Sequence, residues 1–298
     1  MDFLTSDSNF LGITEPEFFQ YDSSKVVIQS APYEHTSSYL EGSKFGPSEI
    51  IKASHFVEFY DEETDHEAYA KFGICTLPEM QFNGKVDAEA IDIIEQETEK
   101  HLNNDKFVIS LGAEHTVTYG FVKAFKNKYK HFSVLQIDAH SDLRLAYHDN
   151  PYSHASVMAR VHDLQLPICQ VGIRAQCKQE ADLIKSSPLI NTWFAHQIQD
   201  NDDWMDACIA KLEDKVYITI DADGFDPSVI PAVGTAEPGG LMWHQGLKFL
   251  RKVAEKKQII GFDIVECAPK EGEIVSQFNL AKLLYKLLGY CSVHQSIK

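Results

Sequence analysis

Three short clusters in this sequence carry residue types that bind divalent metal ions. Together they supply two imidazoles and four carboxylates: His115, Asp138, His140, Asp142, Asp221 and Asp223. This set is rich in oxygen and contains no thiolate, a combination that favours manganese or magnesium over softer metals. The clusters therefore predict a hydrolase that uses a pair of metal ions.

Spacing within the clusters also favours convergence on one point. Residues two apart in an extended segment point to the same side, so Asp138, His140 and Asp142 could converge on one point, and Asp221 and Asp223 repeat the arrangement. Four carboxylates gathered without metal would repel one another and take up protons. The constellation is therefore chemically coherent only if cations offset its charge.

The elements that position these residues are strands and helices in alternation. Runs of β-forming residues predict six strands, at 25–29, 106–111, 132–137, 168–173, 216–220 and 259–265. Helical spacing is clearest at 88–102 and 279–288. Such alternation is typical of an α/β fold with a parallel sheet covered by helices on both faces, and no linker or repeat divides residues 1–298, so we expect a single domain.

Each metal-ligand cluster follows directly after a predicted strand. His115 follows 106–111, the triplet that begins at Asp138 follows 132–137, and Asp221 follows 216–220. In open parallel sheets, ligands bind beyond the carboxyl ends of the strands, where the loops diverge around a shared crevice. We expect the three clusters to meet there.

Each piece also has a plainer interpretation. The Asp-x-His-x-Asp triplet could be a capped surface turn, and the stretch 221–227 (Asp-Ala-Asp-Gly-Phe-Asp-Pro) could be an ordinary turn after a strand. His115 alone could be a half-buried histidine with a satisfied hydrogen bond. The coincidence of three motifs at three strand ends favours the metal site.

Composition excludes other classes of protein. A net charge of −17 argues against a nucleic-acid partner and is compatible with a cationic substrate. The six cysteines are scattered and contain no Cys-x-x-Cys, so neither a disulfide scaffold nor a zinc ribbon is indicated. No long apolar run or basic leader indicates a membrane or secreted protein, and we expect a cytoplasmic location.

The three clusters resemble the signature blocks of the ureohydrolase family, which includes arginase and agmatinase. The stretch 111–115 (Leu-Gly-Ala-Glu-His) is similar to its Gly-Gly-Asp-His block, 138–142 (Asp-Ala-His-Ser-Asp) to its Asp-Ala-His-x-Asp block, and 221–227 to its Asp-x-Asp-x-x-Asp-Pro block. The resemblance implies a three-layer αβα fold with a central, mostly parallel sheet of eight strands. It also implies two Mn²⁺ per chain on the six ligands named above, with Asp138 and Asp221 bridging the ions.

Two further stretches extend the resemblance beyond the metal ligands. The stretch 151–156 is similar to the segment with the family's proton-shuttling histidine, which would be His154, and 261–266 is similar to the segment whose glutamate holds the guanidinium, which would be Glu266. Catalytic roles therefore fall on His154, Glu266 and the ligand Asp142. Seen alone, the first two could be a loop histidine and an acidic residue that caps a strand.

The resemblance implies hydrolysis of a small cationic guanidino compound to urea and an amine, in a homo-oligomer of three or six chains. The segments 37–50 and 170–174 look like the agmatinase branch, and residues 143–147 lack the Asn-rich continuation of arginases. Agmatine, giving putrescine and urea, is the first expectation. Guanidinobutyrate, guanidinopropionate, guanidine and arginine remain alternatives.

Three positions depart from the family pattern: Ala113, Ala232 and Ala236 stand where Gly, Gly and Pro are common. A methyl group at Ala113 fits if its φ is negative, whereas Ala236 loosens a turn beside the expected pocket. Two other classes of function stay open, a deacylase with one zinc and a regulatory homologue without activity.

Overall fold

A single sheet of eight parallel strands organises the computed structural model, which describes residues 2–199 and 201–294. The strands are β1 (Val26–Ala31), β2 (Ile74–Thr76), β3 (Phe107–Gly112), β4 (Ser133–Ile137), β5 (Ile168–Ile173), β6 (Ile190–Phe194), β7 (Lys215–Asp221) and β8 (Gln258–Val265). Their order across the sheet is β2-β1-β3-β8-β7-β4-β5-β6. The last two strands in the chain thus lie between β3 and β4, at the centre of the sheet.

Helices cover both faces of the sheet. In the described part of the chain they are α1 (Pro16–Phe19), α2 (Gly46–Ser54), α3 (Ala68–Phe72), α4 (Asp87–Asn103), α5 (Val117–Lys128), α6 (Val157–Asp163), α7 (Lys178–Ser186), α8 (Asp203–Ile209), α9 (Trp243–Lys256) and α10 (Val275–His294). Helices α2, α3, α8, α9 and α10 pack in one apolar core, and α4, α5 and α6 in the other. Within those ranges, no helix is long and apolar enough to cross a membrane.

The strands supply both cores because their side chains alternate between the two faces. In β3, Ile109 and Leu111 join the core under α10, whereas Val108 joins the core under α5. In β7, Ile218 and Tyr217 divide in the same way. Strands buried on both faces read as nearly continuous apolar runs, as expected for a parallel sheet.

The structure confirms the expected three-layer fold, and the sheet is parallel throughout rather than mostly so. The six predicted strands and two predicted helices are present with shifts of a few residues at their ends. Strands β2 and β6 were not predicted. β2 has three residues, and the edge strand β6 is half-buried with Asn191 and Thr192 in its middle, so neither presents a long apolar pattern.

A buried histidine in α4 makes the stability of the fold sensitive to acid. His101 is 3% exposed and contacts the hydroxyl of Tyr21 through Nδ1 at 3.0 Å, and burial lowers its pKa to about 4. The unfolded chain binds a proton at His101 below about pH 6.5, while the folded chain does not until about pH 4. Stability contributed by neutral His101 is therefore lost as the pH falls through this window.

We expect His101→Gln to remove this part of the pH dependence. Between pH 6.5 and 4, the free energy of unfolding of the native protein should fall more steeply than that of the variant, by up to about 1.4 kcal/mol per pH unit. Urea unfolding at several pH values measures both slopes. Parallel slopes would contradict the assignment.

Candidate metal centre

The predicted ligands lie at the carboxyl ends of three strands in the central part of the sheet, β3, β7 and β4. His115 follows β3, Asp138 follows β4, and Asp221 ends β7 and enters a short 3₁₀ turn, Ala222–Gly224. Strand β8 lies between β3 and β7, and Glu266 follows its last residue. Four adjacent loops thus direct polar side chains into one crevice, as sheet topology predicts.

The first ligand group surrounds the imidazole of His115. Its Nδ1 lies 3.1 Å from Oδ2 of Asp138, 3.1 Å from Oδ2 of Asp142 and 3.3 Å from Oδ2 of Asp221. The four side chains are almost completely buried. Three carboxylate oxygens therefore surround one imidazole nitrogen.

A second ligand group surrounds His140 and shares one carboxylate with the first. Nδ1 of His140 lies 3.1 Å from Oδ2 of Asp223 and 3.7 Å from Oδ1 of Asp138. His115, Asp138 and Asp142 have the spacing needed to hold an ion, and so do Asp138, His140 and Asp223. Asp138 belongs to each set through a different oxygen. The arrangement fits two neighbouring cations joined by the Asp138 carboxylate.

The protonation of His115 supports a metal ligand rather than a hydrogen-bonded core histidine. Its Nε2 lies 2.9 Å from Oγ1 of Thr219, and that hydroxyl donates its only proton to Oδ1 of Asp263 at 2.6 Å. Nε2 must therefore be the protonated nitrogen, which leaves a lone pair on Nδ1. Nδ1 is buried and makes no hydrogen bond, although three carboxylate oxygens lie close. A metal ion would satisfy it.

The electrostatics of the four aspartates also require a cation. Burial, with the charge of Asp138 second, raises the pKa of Asp142 to about 7, and burial with Asp223 and Asp138 raises that of Asp221 well above its usual value. For Asp138, burial would raise the pKa, but the nearby imidazoles of His115 and His140 outweigh it and the pKa is lowered. Divalent ions would offset this repulsion, and the oxygen-rich donor set fits manganese or magnesium.

Local backbone features hold the carboxylates in place. Oδ1 of Asp221 accepts the N–H of Asp223 at 2.9 Å, and Oδ1 of Asp223 accepts the N–H of Ala139 at 3.1 Å. This turn packs so tightly on the end of β4 that a Cβ at Gly224 would lie 2.7 Å from the backbone nitrogen of Asp138. Glycine is therefore required there for close approach rather than for a special φ.

Two predicted site residues have a strained backbone. Asp142 has φ of 53° and Glu266 has φ of 63°, in the left-handed region that residues other than glycine rarely adopt. Such a conformation costs on the order of 1–3 kcal/mol and concentrates at functional sites. Ala113 is not among the residues with positive φ, which fits the expectation that its methyl group is tolerated.

A row of polar side chains crosses the sheet directly beneath the ligands. Strand register places its seven members side by side: Gln29, Ser110, Asp263, Thr219, Gln136, Gln170 and Thr192. Nε2 of Gln136 donates to Oδ2 of Asp138 at 2.7 Å, and Nε2 of Gln170 donates to Oε1 of Gln136 at 2.7 Å. This row orients His115 and Asp138, because hydrogen bonds to ligands fix their geometry.

A cleft of about 150 Å³ opens onto the ligands and contains both further residues predicted to be catalytic, His154 and Glu266. Oε1 of Glu266 accepts the backbone N–H of His115 at 2.7 Å. Burial outweighs that bond, and the nearby charge of Glu114 adds to it, so the pKa of Glu266 rises to about 8. A cationic substrate in the cleft would favour the ionised carboxylate.

His154 lines the wall of the cleft, and its pKa differs from that of an exposed histidine. Burial, and then the charge of His140, lower its pKa to about 4. An imidazole in water has a pKa near 6.5. In the structure, His154 is neutral near pH 7, so it must accept a proton before it can donate one.

The residues predicted as ligands lie together in the structure, but the residues that support them were not predicted. Thr219, Asp263 and Gln136 lie inside predicted strands and looked like ordinary strand positions. Their signal is a polar residue within an apolar run just before a ligand cluster. Arg174 was noted only as part of a family-like segment, yet its Nη2 donates to the carbonyl oxygens of Asp223 and Glu237 at 2.5 and 2.8 Å.

Comparisons with known proteins agree with this geometry. The model of the arginase family matches residues 24–289. An N(1)-aminopropylagmatine ureohydrolase from Synechocystis is 41% identical over 284 residues, 93% of this chain and 92% of its own length. An agmatinase from Bacillus cereus is 34% identical over 257 residues, 84% of this chain and 85% of its own length.

A solved structure gives the same result at the level of the fold. The agmatine ureohydrolase of Thermoplasma volcanium superimposes with a TM-score of 0.79 at 31% identity, and the match covers 91% of both chains. This chain therefore belongs to the arginase family of C–N bond hydrolases and is most similar to the agmatinase-type ureohydrolases within it.

Proposed function

We propose that this protein hydrolyses a guanidino compound with a cationic tail to urea and an amine, with two Mn²⁺ held by the six ligands. The observation that carries the proposal is the single cleft in which the ligands Asp142, Asp221 and Asp223 lie together with Glu266 and His154. Asp138 would bridge the ions because it belongs to both ligand groups. Asp221 is the second proposed bridge.

The residues of the cleft have complementary tasks. Two cations held by these ligands would lower the pKa of a bound water and so supply hydroxide near neutral pH. Glu266 meets the planar N–H donors of the guanidinium with its carboxylate and thereby orients the electrophilic carbon. His154, neutral at rest, accepts a proton from the attacking water and delivers it to the leaving nitrogen.

The atoms of this reaction balance with water as the only co-reactant. The oxygen of water forms a bond to the guanidinium carbon, and the bond from that carbon to the alkyl nitrogen breaks. Both protons of the water end on the leaving nitrogen, which departs as an ammonium group, and the remaining product is neutral urea. Proton transfer is essential, because an amine leaves readily only after it is protonated.

For the substrate, we propose N(1)-aminopropylagmatine first and agmatine second. The relative named for the former is 41% identical to this chain, whereas the agmatinase from Bacillus cereus is 34% identical. The aminopropyl extension adds a further cationic centre, which the net charge of −17 would attract. This choice replaces agmatine as the first expectation from the sequence.

A urea-release assay with the manganese-loaded protein tests the proposal. We expect kcat/KM for N(1)-aminopropylagmatine to exceed that for agmatine about tenfold, the equivalent of about 1.4 kcal/mol from contacts to the longer tail. A reversed ratio would select agmatine. Bound metal without urea from any guanidino compound would instead support the regulatory homologue.

One observation justifies adding a carboxylate-bearing compound to the assay. Arg144 lines the cleft, with its guanidinium 5.3 Å from the centre of the Tyr147 ring. A cation in that place would favour the carboxylate tail of guanidinobutyrate over a cationic tail. If guanidinobutyrate is preferred, the substrate is a guanidino compound with a carboxylate tail, and the reaction is still hydrolysis to urea and an amine.

Metal analysis and solution mass test the remaining proposals. Two Mn²⁺ per chain are expected, whereas a single zinc would support the deacylase hypothesis. We also propose a homo-oligomer of three or six chains, on the family resemblance. Analytical ultracentrifugation at several protein concentrations would reveal a monomer if that proposal is wrong.

A further inference from the structure

We propose that Thr36 is a positioning residue that holds His154 in one tautomer and one orientation. The proposal rests on the proposed function, in which His154 moves the proton. Thr36 lies in the loop between β1 and α2, far from His154 in sequence, and the two residues make two contacts. Oγ1 of Thr36 lies 3.1 Å from Nδ1 of the imidazole and accepts the backbone N–H of His154 at 3.0 Å.

A buried carboxylate determines where the proton of the Thr36 hydroxyl goes. Oε2 of Glu114 lies 3.1 Å from Oγ1 of Thr36, and it also accepts the backbone N–H groups of His35 at 3.0 Å and Thr36 at 2.6 Å. An oxygen that already accepts two N–H donors acts as an acceptor toward the hydroxyl as well. Thr36 therefore donates its only proton to Glu114.

This bond fixes the protonation of His154. Because the hydroxyl proton of Thr36 points at Glu114, Oγ1 can only accept from the imidazole, so Nδ1 of His154 must carry a proton. Neutral His154 then has its lone pair on Nε2, at the opposite side of the ring. Free histidine favours the other tautomer slightly, so this assignment is a property of the site and not of the residue.

The tautomer matters for the proposed reaction. A histidine that first accepts and then donates a proton must use the ring nitrogen that faces the reacting atoms, and here Nδ1 is occupied by Thr36. Nε2 is therefore the nitrogen that can exchange a proton with the contents of the cleft. The Thr36 contact would keep Nε2 available through the whole cycle.

Thr36 is itself held firmly. Glu114 precedes the ligand His115 and is completely buried, so the loop is attached to the metal-bearing end of β3. The other end of the loop is fixed by Glu34, whose Oε1 accepts the backbone N–H groups of Gly42 at 2.6 Å and Ser43 at 2.9 Å. Two carboxylates thus anchor the segment that carries Thr36.

Nitrogen NMR tests the tautomer directly. The probe is the full-length protein with ¹⁵N-histidine and diamagnetic Mg²⁺, and the His154 signals are assigned by their loss in His154→Gln. We expect the Nδ1–H tautomer in the native protein near pH 7, and a mixture or the Nε2–H tautomer in Thr36→Val. An Nε2–H tautomer in the native protein would overturn the proposal.

Kinetics test the consequence for turnover. Thr36→Val should lower kcat about 10- to 100-fold, the usual contribution of a proton-transfer group that is misplaced but present, with KM changed less than threefold. Thr36→Ser, which keeps the hydroxyl, should restore most of kcat and the Nδ1–H tautomer. Thr14→Val, at an exposed threonine outside the cleft, is the matched control.

The outcomes separate this proposal from the proposed function. Native kcat in Thr36→Val, with urea still released, would refute the positioning role alone. No urea from the native protein would refute the proposed function, while the NMR spectrum would still decide the tautomer. If Thr36→Val does not fold, the native tautomer and the kcat of Thr36→Ser decide the question.

Discussion

Replacement of Asp138 by Asn is expected to remove both metal ions and to lower urea release at least about a thousandfold, as loss of a central catalytic group does. Asp138 is the one carboxylate that belongs to both ligand groups found in residues 2–199 and 201–294. An amide presents a single neutral oxygen, so it cannot bridge two cations or offset their charge. Elemental analysis after gel filtration and the urea assay measure the two effects.

His115→Ala provides the contrast within the same site. His115 is a member of only one ligand group, so this variant should lose one metal ion and retain the other. Added Mn²⁺ should raise the melting temperature of the native protein more than that of either variant, because bound ligand stabilises the folded state. Asp182→Asn, at an exposed carboxylate paired with Lys178, is the control. If Asp138→Asn still binds two ions, the proposal that both ions depend on the Asp138 carboxylate is wrong.

Glu266→Gln is expected to lower kcat/KM by about a hundred- to a few thousandfold while leaving both metal ions in place. The glutamine oxygen can still accept the N–H of His115, so the ligand loop should keep its shape. The neutral amide, however, leaves the charge of a buried guanidinium uncompensated, which costs about 3–5 kcal/mol. Kinetics with the best substrate and metal analysis of the same preparation measure both expectations.

The control for this variant is Glu271→Gln, an exposed glutamate in the same loop. It should behave as the native protein, because its charge lies in solvent and is screened. If Glu266→Gln keeps native kcat/KM, Glu266 does not hold the guanidinium. If it loses metal, its effect on turnover would come through His115 instead.

The strands that could be predicted are those whose signal is local. Strands β3, β4, β7 and β8 are buried on both faces, so their residues form apolar runs that stand out from the flanking helices. The edge strand β6 is half-buried and the short β2 forms three residue pairs with β1, so pairing with a neighbour decides their structure. The neighbouring strand lies elsewhere in the chain, so a short stretch of sequence cannot predict the pairing.

The convergence of the proposed ligands could be predicted for a related reason. Residue type identifies side chains that can bind metal, and their convergence follows from a general rule about the ends of parallel strands. The supporting residues follow no such rule. Thr219, Gln136 and Gln170 become neighbours only because β7 pairs with β4, and β4 with β5.

By itself, the sequence determined which side chains can bind metal and which strand each one follows, since both are set by residue type and spacing. Only the tertiary structure decided that Asp138 belongs to both ligand groups and that Thr36 contacts both His154 and Glu114. It also decided that burial moves the pKa of His154 to about 4 and that of Glu266 to about 8. Proton affinity and tautomer depend on desolvation and on partners distant in the chain. The shifted pKa values and the fixed tautomer therefore arise only after the sheet has assembled and excluded water.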